Sequence, residues 1–197
     1  MQYETRTFDL PELKGISEKQ LAVHLGLYAG YVKHVNLIAD TFAAVRRGEK
    51  TLDPYAAAEL RRRFAFEFDG MRMHEYYFEQ FEGGSGGNPE SALAKAAAEK
   101  YGSGEKFMEH IKEIAGMRGI GWVVAYYDPR GKVIHTVFVE DHQLGQLAGL
   151  PVLLALDLWE HAYMVDYVPA TKNEYVAAFL ANVNWTVVEK RFDAAAA

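Results

Sequence analysis

A glycine- and serine-rich segment, GGSGGNP at 83–89, divides this sequence into halves with different periodicities. Such a segment reads as a flexible connection closed by proline, and the expected domain boundary lies there, giving units 1–88 and 89–197. Before it, Ser17 and Gln20 form a capping-box pattern that opens a helix over about 18–47, with an inward stripe of Leu21, His24, Tyr28, Tyr31, Val35 and Ile38. Asp53-Pro54 caps a second helix over about 55–81, in which Gly70 marks either a kink or a close helix approach. Two antiparallel helices of this length make a hairpin.

After the segment the pattern changes. Two short helices, over about 89–100 and 103–115, precede two β-branched and aromatic runs joined by Asp128-Pro129-Arg130-Gly131, a hairpin signal. Leu153–Leu156 reads as a third short strand leading into a helical turn at WEHAY, and 173–192 as one final helix. The terminal AAAA reads as a frayed end. The expected fold class is α+β, with an N-terminal long helical hairpin and a C-terminal α/β domain whose three-stranded antiparallel sheet is flanked by helices.

Asp157 and His161, in PVLLALDLWEHAYMVDY, stand four apart, which on a helix places them on one face. A buried carboxylate among aromatic neighbours costs several kcal/mol unless a cation meets it. The chain has no cysteine, which removes disulfides, iron–sulfur clusters and thiolate sites. Any metal must be held by imidazole and carboxylate, which suits Mn, Fe, Zn or Cu better than Cu(I). Of seven histidines, His34 falls off the inward stripe of the first helix, His110 sits in the charged run EHIKE, and His135 is mid-strand. That leaves His24, His74, His142 and His161. Three imidazoles and one carboxylate can hold a first-row ion and leave one position open. Each histidine alone also fits an ordinary core residue satisfied by one hydrogen bond.

The string DxWEHAY resembles the signature of the iron/manganese superoxide dismutases, and the likeness extends from about Ile16 to Phe192. ISEKQLAVHLGLYAGYV is similar to the family's first helix, DGMRMHEYYF to its second, GIGW to the glycine-rich lead into a buried tryptophan, and NVNW at 182–185 to its C-terminal helix. The resemblance implies His24, His74, Asp157 and His161 as ligands of one iron or manganese ion per subunit. It implies Tyr31 as gateway tyrosine, with His142 beside the metal-bound solvent and Gln143 its neighbour. Trp122, Trp159 and Tyr28 would line the surroundings. The implied reaction is disproportionation of superoxide anion to dioxygen and hydrogen peroxide. Glu160 and Tyr163 would lie at the interface of a homodimer, which a tetramer could extend.

The sequence departs from the family pattern in several places. Seven residues, where eight are usual, separate His24 from Tyr31, so a smooth helix is expected there. Leu27-Tyr28-Ala29 replaces Lys-His-His, with Tyr28 expected to fill part of that space, and Met164 replaces a tyrosine. Gly70 stands where some members carry an outer-sphere glutamine, which moves that role to His142 or Gln143. Phe78 and Val124 stand where tryptophan is common. The cationic residues that steer substrate are thinned, leaving Lys172 as the candidate. Two other readings use the same ligands: a dismutase-like metal-binding protein without activity, and a non-haem iron oxygenase or hydrolase, which would need a roomier pocket.

A net charge of −6 argues against a nucleic-acid partner. No run of 18 apolar residues provides a membrane span, and MQYETRTFDLPELKG lacks a signal-peptide core, so the expected compartment is the cytoplasm.

Overall fold

The computed structural model describes residues 2–197. Helix α1 spans Glu18–Arg46 without interruption, as the shortened His24–Tyr31 spacing predicts. Ser17 caps it by accepting from the Gln20 amide at 3.0 Å. The reciprocal half of the capping box does not form. The Asp166 carboxylate takes both the Ser17 amide and hydroxyl, each at 2.6 Å, and the buried Gln20 side chain turns elsewhere. Helix α2, Pro54–Glu79, is capped by Asp53 and carries Pro54 in its first turn. Gly70 is a close approach within one unbroken helix: a Cβ there would stand 2.7 Å from the Tyr31 ring of α1.

The 83–89 segment is pinned, contrary to its expected freedom. Gly86 bridges Asn184, the Gly86 carbonyl accepts from the Trp185 amide at 2.6 Å, and Glu189 accepts from the Asn88 amide at 2.7 Å. Helices α3 (Ala92–Tyr101) and α4 (Gly104–Ala115) follow, capped by Ser91 and Ser103. Strands β1 (Gly121–Asp128), β2 (Val133–Glu140) and β3 (Val152–Asp157) form one antiparallel sheet in the order β2-β1-β3. Trp122 pairs with Asp157 across the β1–β3 ladder, so sheet register alone brings these two residues together. Gly121 precedes them at φ 142°, where a Cβ would collide with the Val139 carbonyl at 2.1 Å. Helix α4 lies against β1 and β2, while α2 and the C-terminal helix Trp185–Ala196 lie against β3. That covering accounts for a β1 that is buried along nearly its whole length.

The expected final helix is two helices, α5 (Lys172–Asn182) and α6 (Trp185–Ala196). The break falls at Val183-Asn184 because the Asn184 amide donates to the Gln80 carbonyl at 2.7 Å and its side chain caps α6 through Thr186. The expected frayed end is helical to Ala196. Helices over half the elements, an N-terminal helical part and a three-stranded antiparallel sheet in the C-terminal part make the molecule α+β. Among the described residues no helix is long and apolar enough to cross a membrane.

Candidate metal centre

His24 comes from the buried face of α1 and His74 from that of α2. Asp157 is the last residue of β3, and His161 lies in the short 3-10 turn Glu160–Ala162. Asp157 and His161 therefore do not share a helix face; the chain turns sharply between them. The Trp159 amide secures that turn by donating to Asp157 Oδ1 at 2.8 Å, which leaves Oδ2 facing the histidines.

The three Nε2 atoms converge on Asp157 Oδ2, His24 at 3.0 Å, His161 at 3.2 Å and His74 at 3.6 Å. All four ligand atoms lie within 4.8 Å of one another. His24, His74 and Asp157 are almost wholly buried. Burial pushes the Asp157 carboxyl up, but His161 and His24 overcome it and hold it below the usual carboxylate range. Burial pushes His24 and His74 down, His74 the further, with His24 adding to the effect on His74.

The fit to a cation shows most clearly at His74. Its Nδ1–H donates to the Gly70 carbonyl at 2.6 Å, so the lone pair belongs to Nε2. That Nε2 is buried and has no hydrogen-bond partner among the described residues, although it points at the other three donors. An aimed, unpaired imidazole nitrogen beside a carboxylate oxygen is the donor set a first-row metal ion takes.

Around these four, His142 is fully buried and Tyr31 half-buried. Trp122 Nε1–H donates to His142 Nδ1 at 3.0 Å. Indole can only donate, so Nδ1 accepts and the His142 proton sits on Nε2, 2.7 Å from the Tyr31 hydroxyl. Burial holds His142 down to about 4 and pushes Tyr31 above the usual phenol value. Trp159 stacks on His142 and on His161, with ring centres 4.9 and 5.7 Å apart. Phe78, at the position where tryptophan was noted, packs its ring 5.0 Å from His24.

Other expected residues stand farther from the ligand atoms. Tyr28 is buried, but its hydroxyl bridges the Arg6 amide and Glu75, filling space behind His74. Gln143 makes no hydrogen bond into the cluster, and its side-chain oxygen has no partner among the described residues. Glu160 is exposed; Tyr163 is buried within its own chain, stacked on Tyr175 at 5.3 Å. The Lys172 ammonium is engaged by the Met117 carbonyl at 3.0 Å.

The sequence did not single out the supports. Gln20 donates to the His161 carbonyl at 2.6 Å and accepts from the Val165 amide at 3.0 Å, fastening the ligand turn to α1. Tyr175 donates to the Asp157 carbonyl at 2.8 Å, and Gln146 to the His142 carbonyl at 2.8 Å. Phe66 of α2 lies 4.5 Å from His142, edge to face. Gln20 stands out in the sequence only as a capping-box residue, and nothing there marks its side chain for the His161 turn.

The family model described as "Iron/manganese superoxide dismutases, C-terminal domain" matches residues 89–191. The chain belongs to this family. It is 30% identical to the "Superoxide dismutase [Fe]" of Saccharolobus solfataricus, over 97% of this chain and 96% of that one. It is 34% identical to the "Superoxide dismutase [Fe]" of Cupriavidus metallidurans (93% and 92% covered) and 33% identical to "Superoxide dismutase [Mn] 2" of Haloferax volcanii (91% and 88% covered). Iron- and manganese-named members of the family are thus about equally similar to it.

Proposed function

We propose that the chain converts two superoxide anions and two protons into dioxygen and hydrogen peroxide, with one iron or manganese ion per subunit held by His24, His74, Asp157 and His161. Family membership supports the reaction, and one observation carries the ligand assignment: four donor atoms from three distant segments within 4.8 Å of one another. The bound ion supplies alternating one-electron reduction and oxidation.

The remaining work falls to side chains. Asp157 provides a fixed negative charge, oriented by the Trp159 amide. His142 donates its Nε2 proton to Tyr31 Oη, which frees the phenolic hydrogen to point at an incoming anion. Tyr31 keeps that proton at neutral pH because burial raises its pKa, so it serves as a hydrogen-bond donor and not as a base. Trp122, Trp159 and Phe66 keep bulk water from the donors. Their crowding opposes the roomier oxygenase or hydrolase site.

The subunit pairs as a homodimer through the exposed face around Glu160. The helical hairpin 1–88 and the sheet-bearing part 89–197 are its two units, a division supported by the start of the C-terminal-domain match at residue 89.

The test loads the protein separately with iron and manganese, measures metal content, and follows inhibition of cytochrome c reduction by superoxide. Activity with at least one metal is expected, and His74→Ala should lose both bound metal and activity. Full metal content without activity in either form would make the chain a metal-binding protein only. Unchanged metal in His74→Ala would defeat the ligand assignment.

A further inference from the structure

Superoxide is an anion, and a chain of net charge −6 repels it on average. Fast capture therefore needs a local positive charge at the mouth of the site. Lys172 is tied to the Met117 carbonyl, and Leu27 is an exposed apolar residue on α1. Among the described residues, α2 brings a cation beside the site. The Arg63 guanidinium sits 3.6 Å from the centre of the Phe66 ring, whose other neighbours are His142 at 4.5 Å, Tyr31 at 6.0 Å and Trp159 at 6.2 Å. Glu67, buried one helical turn on, accepts from Arg63 Nε at 2.8 Å, and its second oxygen lies 3.5 Å from His34. The arginine is held on two sides, yet its side chain remains about half exposed (47%). Its charge reaches the site: it opposes the burial-driven rise at Tyr31 and adds to the burial-driven fall at His142.

We propose that Arg63, seated on Phe66 and restrained by Glu67, is the residue that steers the anionic substrate to the metal centre. The ring acts as a spacer between guanidinium and site. Glu67 keeps the charge from collapsing onto the centre and offsets part of it. Arg62 provides an internal control, since it pairs with Glu59 and its side chain is 76% exposed. Arg61 is committed elsewhere, over Phe42. The inference rests on the dismutase reading for its substrate, but its electrostatic content can be tested with a non-reacting anion.

The experiment titrates azide into the iron-loaded protein by absorbance, and measures kcat/KM for superoxide, each across ionic strength. Arg63→Gln should weaken azide binding and lower kcat/KM about threefold at about 0.01 M salt, and match the parent near 1 M, where the screening length falls from about 30 Å to about 3 Å. Arg63→Lys should stay within about twofold of the parent, and Arg62→Gln, with the same change in net charge, should leave both quantities unchanged. Glu67→Gln should move both in the opposite sense to Arg63→Gln. A loss in Arg63→Gln that is independent of salt, or a matching loss in Glu67→Gln, would reduce the pair to a structural brace and overturn the proposal. An equal effect in Arg62→Gln would overturn it in favour of net charge. An azide series that behaves as expected in a parent without dismutase activity would uphold Arg63 as an anion guide and defeat the dismutase reading.

Discussion

His142 is held between a donor, Trp122, and an acceptor, Tyr31, and the first of these bonds depends on its being neutral. Trp122 occupies Nδ1, so protonating that nitrogen would break an indole hydrogen bond inside the core. Its value of about 4, against about 6.5 when free, has a consequence for folding. As pH falls below about 6.5 the unfolded chain takes up a proton that the folded chain refuses. The stability present above that pH is therefore lost progressively down to about 4, at about 1.4 kcal/mol per pH unit. His24 and His74, also depressed by burial, add in the same direction. Urea midpoints of metal-free protein between pH 7 and 4.5 should fall, and His142→Gln should show a shallower slope. Equal slopes would show that His142 titrates normally in the folded chain.

At the scale of elements, what the sequence disclosed followed from local chemistry. Ser17 and Asp53-Pro54 mark helix starts, and Asp128–Gly131 marks the hairpin, because caps and turns are satisfied by nearby residues. The misreadings involve partners far along the chain. The α5–α6 break has neither proline nor glycine; it exists because Gln80 and Glu82 bond Asn184 from about 100 residues away. Gln20 imitates a capping-box residue, but its side chain is used by the His161 turn. The four residues that converge at the candidate centre were legible through motif resemblance, whereas Phe66 and Arg63 carry no periodic or motif signal. Asn184→Ala removes the cap on α6 and the bond to the Glu82 carbonyl, and should cost about 1–2 kcal/mol in thermal or urea unfolding. A cost below about 0.5 kcal/mol would mean that the Asn184 amide alone fixes the break.

Over the whole molecule, Val23 and Leu27 of α1 are exposed apolar residues, and so are Met164, Val165 and Val168, which follow the Glu160–Ala162 turn that packs against α1. A dimer joined here would bury each subunit's apolar residues on the other. Sedimentation velocity should show a dimer for the parent and a shift toward monomer for Met164→Glu. Glu160→Ala should weaken the dimer and reduce metal retention if the carboxylate supports the partner's site. A Met164→Glu protein that sediments as the parent would place the interface elsewhere.

The four residues proposed to hold the ion, His24, His74, Asp157 and His161, enter the chain far apart, the first and last separated by most of its length. A nascent chain released only through residue 88 presents two imidazoles and no carboxylate from this set. Tight loading must then wait until the sheet has closed against the hairpin, which makes metal occupancy a report on completed assembly.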